Sequence, residues 1–414
     1  MLKILHTADW HVGQSLGGYP RLAEHKIALS QLVAIAAEEC VDALIVAGDI
    51  FDTQSPKAEA ETLVYETFAQ LTKALPHAKI ILVAGNHDQA ARIEAPSPLY
   101  RAFSIHAIGS VGRREGAFDI DKHLIALSNH RGEPAAYCLA LPYPRAIDLP
   151  GLAAGGDETG SPTVREVRRL YAEASEAALT RAAGLPVIAT GHLHVLGAIE
   201  SEGAERAIIV GGQHAAPADI FDPRLAYVAL GHLHRPQAVG RETIRYAGSL
   251  FPLSATERGY QHGISIVQID GGAVTIRHRT LDRPAPFLRL PERGAMAPDA
   301  ARAALAALNL DPATPESLRP LVQLSLRLEG PYPGLEAELD AIAASFPIRF
   351  LGHLVERPPT AGDALTALDT SPVPLGERDP AELFAAAFEK KHGVPPDPAH
   401  VAVFERALVA AKGG

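Results

Sequence analysis

Five short polar clusters in this chain of 414 residues combine side chains that can bind metal ions. Each cluster directly follows an apolar run, such as ALIVA, IILVA, PVIAT or AYVAL. Because the carboxyl ends of the strands line the ligand crevice of an α/β sheet, we expect the clusters to converge in space. The clusters are Asp9-Trp10-His11, Gly48-Asp49-Ile50-Phe51-Asp52, Gly85-Asn86-His87-Asp88, Gly191-His192-Leu193-His194 and Gly231-His232-Leu233-His234.

The residue types in these clusters indicate the chemistry they suit. Carboxylate, imidazole and carboxamide groups without a thiolate favour Mn²⁺, iron or Zn²⁺ over a structural cysteine–zinc site. Asp9 and His11 are alternate residues of an extended stretch, so both can reach one ion. A His-x-His pair can instead give one ring to each of two ions about 3.5–4 Å apart. A lone histidine or a Gly-Asp turn is usually structural, but five such coincidences at strand ends are not expected. The clusters therefore predict a metal centre.

The elements that must position the clusters alternate between strands and helices. Continuous Val/Ile/Leu/Ala runs are typical of strands that are covered on both faces. Apolar stripes predict helices over residues 22–40, 56–75 and 163–183, the second with Ser55 as its N-cap and Pro56 in its first turn. The predicted strands span residues 3–8, 43–48, 79–84, 107–111, 122–128, 137–142, 187–190, 207–211, 226–230, 243–247, 263–269 and 273–280.

The alternation of strands and helices is interrupted near residues 283–286, whose sequence is Arg-Pro-Ala-Pro. Strands and helices then alternate through residues 287–358 and predict a small α+β unit. A stretch rich in Pro and Gly follows over residues 357–380. Two short helices are predicted to close the chain.

The composition constrains partners and compartment. The formal net charge is −10, which argues mildly against a chain that coats nucleic acid, because phosphate contacts need Lys and Arg. A nuclease is not excluded, since a metal pair supplies local positive charge. We expect Cys40 and Cys138 to be buried free thiols in a reducing cytoplasm. The N-terminus enters a strand at once, without the apolar region of a signal peptide, and no apolar stretch approaches the ~18 residues of a membrane span.

The motif series resembles that of the calcineurin-like metallophosphoesterases. The matching motifs are Asp9-x-His11, Gly48-Asp49-x-x-Asp52, Gly85-Asn86-His87-Asp88 and Gly231-His232-x-His234. The extended forms LKILHTADWHVGQ, DALIVAGDIFDTQSP, PVIATGHL, YVALGHLHRPQ and RYAGSLFPLS more specifically resemble the SbcD family, the nuclease subunits of bacterial SbcCD repair complexes. The part of the chain that carries these motifs covers about residues 1–280.

The resemblance implies a four-layer αββα sandwich with a small α+β capping domain and C-terminal helices. It places a nuclease domain over residues 1–283 and the capping domain over residues 284–358. A linker over residues 359–379 and a helical ATPase-binding segment over residues 380–414 would follow.

The resemblance also implies a role for the residues of the clusters. Asp49 would bridge two metal ions, which are Mn²⁺ in the family. His87 would assist departure of the leaving oxygen, and Asp52 would hold the His87 ring. For Asp88 itself, we expect a role in the turn or in support of the ligands rather than a direct part in catalysis. His194 departs from the family pattern, and metal ligation, a contact near the centre and a solvated position all stay open for it. The remaining ligands would be Asp9, His11 and His234 at one ion, and Asn86, His192 and His232 at the other.

Three functions are compatible with these features. The resemblance implies a Mn²⁺-dependent DNA nuclease, a 3′→5′ exonuclease on double strands and an endonuclease on single strands and hairpins. It would form a homodimer within a heterotetramer with an SbcC-like SMC-type ATPase. The same metal residues would equally serve a calcineurin-like phosphatase or a cyclic-nucleotide phosphodiesterase.

The third possibility is a chain that is chiefly an interaction subunit. Phe384, Phe388 and Phe404 of the terminal helices either pack on their own domain or dock on the ATPase, and both alternatives stay open. The route of DNA over the surface is also open. The basic candidates for contact with DNA are Arg113, Arg114, Arg165, Arg168 and Arg169, of which the last three are expected to form a solvated helix face.

Overall fold

The fold is that of a computed structural model. It describes residues 1–154, 161–200, 215–328, 330 and 332–356, and ten positions between 384 and 404. The chain divides into two compact units, Met1–Glu356 and Arg357–Gly414. The strand predicted over 207–211, the linker over 359–379 and most of the predicted terminal helices lie outside the described residues. Among the described residues, no helix combines the length and the apolar character needed to span a membrane.

The first unit contains all the strands and long helices that are described. The strands are β1 (Leu2–Thr7), β2 (Ser15–Leu16), β3 (Tyr19–Pro20), β4 (Ala43–Ala47), β5 (Lys79–Val83), β6 (Ile105–Ile108), β7 (Arg113–Arg114), β8 (Ala117–Phe118), β9 (Leu124–Ser128), β10 (Pro134–Leu139), β11 (Val187–His192), β12 (Tyr227–Gly231), β13 (Gln237–Val239), β14 (Arg241–Tyr246), β15 (Gly263–Asp270), β16 (Ala273–Thr280), β17 (Phe287–Leu290), β18 (Leu321–Arg327) and β19 (Arg349–Glu356). The helices are α1 (Leu22–Glu39), α2 (Ala58–Ala74), α3 (Ala90–Glu94), α4 (Ser97–Tyr100), α5 (Ile120–His123), α6 (Pro162–Ala182), α7 (Ala301–Ala306) and α8 (Leu335–Ala343).

Twelve of these strands form two six-stranded sheets. The first sheet has the order β16-β15-β1-β4-β5-β6, and the second has the order β13-β14-β12-β11-β10-β9. In the first, β1, β4, β5 and β6 run parallel, while β15 pairs with β1 in the antiparallel sense. In the second, β10, β11, β12 and β14 run parallel, with β9 and β13 antiparallel at the two edges. The parallel strands of each sheet therefore end along one side of that sheet.

Alternating side chains of the strands divide the interior into three apolar layers. In β4, Ile45 faces a core that includes Ile188 and Ala229 of the second sheet, so this layer lies between the sheets. Its neighbour Leu44 faces a second core with residues of α1 and α2. On the other side, Val228 faces a third core with α6. The predicted four-layer αββα sandwich is thus confirmed.

The outer helix α6 begins with a side-chain cap, whereas α2 does not. Ser161 is the N-cap of α6, and its Oγ accepts from Val164 N at 3.5 Å, with a proline in the first turn. The prediction for α2 was wrong by two residues, because the helix starts at Ala58 and its N-cap is Lys57, which makes no side-chain cap. Ser55 and Pro56 precede the helix.

Residues 284–356 form a small three-stranded unit, in which β17, β18 and β19 are parallel and α7 and α8 connect them. Its core includes Leu305, Val322 and Leu339. An ion-paired triad anchors it to α1. Glu24 accepts from Arg21 and from Arg349 of β19, each at 2.7 Å, and all three side chains are 1% exposed.

Two smaller predictions have separate outcomes. Cys138 is buried in β10, as expected, whereas Cys40, which ends α1 in a left-handed conformation with φ of 50°, is exposed.

In the second unit, Arg357–Gly414, the rings of Phe384 and Phe404 stack at 4.4 Å between centroids, and Phe388 lies 5.8 Å from Phe384. These aromatic side chains pack on one another within their own unit.

Candidate metal centre

The polar clusters come together where strands of both sheets end. Asp9, Asp49 and Asn86 follow β1, β4 and β5 of the first sheet. His192 is the last residue of β11 and His232 follows β12, both in the second sheet. The centre is therefore built from both sheets, at the edge of the core that lies between them.

One group of donors consists of Asp9, His11 and His234. Their ligand atoms lie within 4.8 Å of one another, and all three side chains are buried. Within the described part of the chain, Asp9 Oδ2 and His11 Nε2 have no hydrogen-bond partner. A buried polar atom without a partner is costly, and a divalent cation would satisfy both atoms. This group therefore fits a metal ion.

A second group consists of Asn86, His192 and His232. Asn86 Oδ1 lies 2.9 Å from His192 Nε2 and 3.1 Å from His232 Nδ1. Asp49 joins the two groups, because its Oδ2 lies 3.2 Å from His192 Nε2 and 3.5 Å from His11 Nε2. The structure thus brings the seven predicted ligands together around Asp49, and Asp9, Asp49 and His192 also lie with their ligand atoms within 4.8 Å of one another.

In each of the carboxylates of Asp9 and Asp49, one oxygen accepts a hydrogen bond from a main-chain N–H. His232 N donates to Asp9 Oδ1 at 2.8 Å, and His87 N donates to Asp49 Oδ1 at 2.8 Å. Each Oδ2 is left to face the imidazoles. This division orients the carboxylates for binding cations through one oxygen.

The backbone at these residues adopts conformations that side chains rarely tolerate. Asp9, His11, Asp49 and His232 have φ of 52°, 47°, 49° and 102°. A non-glycine residue in this region costs about 1–3 kcal/mol, and such strain concentrates at functional sites. Main-chain hydrogen bonds hold the first two in place, because Asp9 N donates to Gly48 O and His11 N donates to Asp49 O, each at 3.0 Å.

Two glycines permit the close approach of the loops. An added Cβ at Gly48, which has φ of 94°, would collide with the ring of His192. At Gly85 it would collide with the carboxylate of Asp49. The glycines of the motifs therefore make room for the ligands themselves.

Burial and neighbouring charge act in opposite directions on the pKa values in the centre. Burial raises the pKa of Asp9 to about 7, against the lowering effect of His192 and His234. Burial alone would also raise the pKa of Asp49, but His192 and His11 hold it below its ordinary value. Burial opposes protonation of His192, yet Asp49 raises its pKa to about 9. Of the two carboxylates, Asp9 is thus the one whose ionisation burial disfavours, and a nearby divalent cation would favour its charged form.

Comparison with known proteins agrees with this donor set. A family model described as calcineurin-like phosphoesterase matches residues 2–236. A relative from Rhodobacter capsulatus, named as the SbcD subunit of nuclease SbcCD, is 45% identical over 388 residues, which cover 94% of each chain. The chain belongs to the SbcD nuclease family of calcineurin-like phosphoesterases. Relatives of the same name from Bacillus subtilis and Escherichia coli K12 are each 35% identical, covering 66% of this chain and 67% and 66% of theirs.

Two buried carboxylates, Glu257 and Asp88, support this SbcD-family centre without belonging to the seven predicted ligands. Glu257 Oε1 lies 2.9 Å from His234 Nδ1, which leaves the other ring nitrogen to face the centre. Asp88 accepts from the main-chain N–H groups of Gly85, Ile50 and Phe51 at 2.9, 3.1 and 3.0 Å, and so joins two motif loops. The turn role expected for Asp88 is consistent with these contacts. Glu257 lies 23 residues beyond His234, and no spacing rule points to it.

The contact between Asp52 and His87 differs from the expected one. His87 Nδ1 lies 2.7 Å from the main-chain carbonyl of Asp52, so the ring donates to the backbone. The Asp52 carboxylate is instead 3.4 Å from Nδ1 of His11. Asp52 therefore contacts His87 through its carbonyl and not, as had been expected, through the carboxylate, while its carboxylate lies beside the predicted metal ligand His11.

His194 and three of the basic candidates lie beside carboxylates. His194 Nε2 is 2.9 Å from Glu200 Oε1, and His194 belongs to none of the donor groups found among the described residues. The three basic candidates are Arg113, Arg114 and Arg168, and each pairs with a carboxylate. These pairs are Arg113–Glu173 at 3.3 Å, Arg114–Asp119 at 3.6 Å and Arg168–Asp219 at 2.7 Å.

Proposed function

We propose that this SbcD-family nuclease cleaves DNA with two Mn²⁺ ions. Asp49 would bridge the ions, with Asp9, His11 and His234 at one and Asn86, His192 and His232 at the other. The observation that carries the proposal is the position of Asp49 Oδ2, within 3.5 Å of an imidazole of each set. The substrates would be double-stranded DNA, attacked as a 3′→5′ exonuclease, and single strands or hairpins, attacked as an endonuclease.

When bound, the cations would supply Lewis-acid activation of water and stabilise charge on the scissile phosphate. The chain itself contributes proton transfer. Because the Nδ1–H of His87 donates to the Asp52 carbonyl, this ring can deliver a proton only from Nε2, as the doubly protonated imidazolium. In that form His87 would protonate the leaving oxygen. The hydrogen bond from its own N–H to Asp49 keeps it beside the metal ligands.

We also propose that the subunit acts in the cytoplasm as a homodimer with an SbcC-like SMC-type ATPase. An apolar surface on α2, α4 and the following turn supports self-association, with Leu99 72% exposed, Phe103 59% and Tyr65 40%. The ATPase would bind the segment over residues 380–414. Deleting residues 376–414 should abolish co-purification with the ATPase and leave Mn²⁺ binding intact, and unchanged co-purification would dismiss the docking role.

The decisive experiment is DNA digestion by the purified chain with Mn²⁺, Mg²⁺ or chelator. We expect cleavage with Mn²⁺ and none with chelator. His87→Ala should slow cleavage by about 10²–10⁴-fold, the usual value of a positioned general acid, while calorimetry still detects two bound Mn²⁺. Robust cleavage by this variant would remove His87 from the mechanism. Turnover of small phosphoesters without action on DNA would instead identify a phosphatase or a cyclic-nucleotide phosphodiesterase.

A further inference from the structure

We propose that Arg145 is a positioning residue that holds the loop Gly85–Asp88, and with it Asn86 and His87, in place. This inference rests on the function proposed for that loop. Arg145 lies outside all five polar clusters, 57 residues after Asp88. It follows β10 of the second sheet, whereas the loop follows β5 of the first.

The guanidinium of Arg145 binds both ends of the loop. Its Nη2 donates to Gly85 O at 3.1 Å and to Asp88 O at 2.7 Å. Its Nη1 donates to Gly109 O, which follows β6, at 3.0 Å. One side chain therefore connects the ends of β5, β6 and β10.

The middle of the same loop serves the metal centre. Asn86 Oδ1 lies 2.9 Å from His192 Nε2, and His87 N donates to Asp49 at 2.8 Å. The loop is thus held at its two ends through carbonyls, and the residues between them contact the metal ligands. A displacement of about 1 Å at such a position can cost on the order of 100-fold in rate.

Arg145 is itself fixed by its surroundings. Its main-chain N–H donates to the buried carboxylate of Asp148 at 2.9 Å, and Asp148 N donates back to Arg145 O at 2.8 Å. Its guanidinium lies 5.8 Å from the centre of the Tyr143 ring. The Tyr143 main-chain N–H donates to Ala84 O, directly before the loop, at 2.8 Å.

Only arginine can make this set of contacts. The rigid fork of the guanidinium offers several N–H donors in one plane, so it can reach Gly109 O and the two loop carbonyls together. A lysine ammonium is a single point and cannot span them. Both donors of Nη2 and one of Nη1 are already bound to protein, which assigns the side chain to the loop rather than to a DNA phosphate.

The test compares Arg145→Gln with Arg241→Gln as a matched control. Arg241 is also half-buried and also donates from Nη2 to two main-chain carbonyls, Asp222 O at 3.2 Å and Leu225 O at 3.0 Å, but these lie outside the metal centre. Calorimetry with Mn²⁺ should show one of two ions bound about 10–100-fold more weakly in Arg145→Gln. Arg241→Gln should bind both ions as the unmodified chain does.

Steady-state DNA cleavage supplies the second readout. Arg145→Gln should lower kcat by about 10–100-fold with KM changed less than about twofold, and Arg145→Lys should recover little of the loss. A raised KM with unchanged kcat, restored by lysine, would make Arg145 a DNA contact and overturn the inference. So would metal binding and kinetics equal to those of Arg241→Gln.

Failure of the proposed function and misfolding of the variant can each be recognised separately. If the unmodified chain neither binds two Mn²⁺ nor cleaves DNA, the proposed function fails before Arg145 is tested. If Arg145→Gln does not fold, as judged by its melting curve, the same measurements on Arg145→Lys decide the matter, because lysine keeps the charge and loses the fork.

Discussion

Glu24 is the central carboxylate of the buried triad that joins the three-stranded unit to α1, and its charge should be critical to stability. Arg21 donates to it from Nε at 3.0 Å and from Nη2 at 2.7 Å, and Arg349 donates from Nη1 at 2.7 Å. Glu24→Gln keeps the shape and removes the charge, leaving two guanidinium groups buried without a counter-ion.

The expected loss follows from the burial of all three side chains, each 1% exposed. Removing one partner of a buried ion pair costs about 3–5 kcal/mol, because the remaining charge is left unpaired. We therefore expect Glu24→Gln to lower the free energy of unfolding by about 3–5 kcal/mol. Replacing the whole triad by Met, Leu and Met should cost less than Glu24→Gln, since no buried charge is then left, although the carbonyls of Pro252 and Arg319 each lose a donor.

The loss should also depend on pH. Burial alone would raise the pKa of Glu24, but its hydrogen bonds to Arg21 and the charges of Arg21 and Arg349 lower it. A folded-state pKa below the unfolded value gives stability that is present above the unfolded pKa of about 4.3. That stability is lost as the pH falls through the folded pKa. The difference between the two proteins should therefore be full at neutral pH and shrink in acid.

Urea unfolding followed by circular dichroism measures this difference. Glu61→Gln is the matched control, because Glu61 pairs with Arg92 at 2.7 Å on the surface, where the two side chains are 24% and 36% exposed. The control should lose less than about 1 kcal/mol. A loss of that same size for Glu24→Gln, or a loss that does not change with pH, would refute the reasoning.

Two further predictions concern the metal centre. Glu257→Gln should weaken Mn²⁺ binding by about 10–100-fold, because Glu257 orients the His234 ring; an unchanged dissociation constant in calorimetry would contradict this. Gly85→Ala should abolish binding of both ions, because the new methyl group collides with the bridging carboxylate, while Gly259→Ala, which has open space, should bind them normally. Equal calorimetric titrations of the two alanine variants would show that the loop can move aside.

The individual strands could be predicted because they carry local signals, whereas their arrangement in a four-layer sandwich followed only from the resemblance to the family. The buried run of β4, for example, reads as a strand without any knowledge of its neighbours, and the polar cluster after it marks its carboxyl end. The two-residue hairpin strands β2–β3 and β7–β8 were not predicted, since so short an element has no measurable period. The start of α2 was misplaced because Ser55 and Pro56 are good helix-start residues by type, whereas the helix begins at Ala58 without a side-chain cap.

The candidate ligands can be recognised in the sequence, whereas the groups that orient them cannot. The atoms that would meet a cation belong to residues whose types and spacing are visible, such as Asp9 and Asp49. The atoms that orient them come from elsewhere, as His232 N does for Asp9 across 223 residues. Since any residue but proline offers a main-chain N–H, no sequence pattern can reveal which one fills an oxygen of a carboxylate. A residue such as Arg145, which acts only on carbonyls, is hidden for the same reason, and only the folded arrangement of the two sheets discloses it.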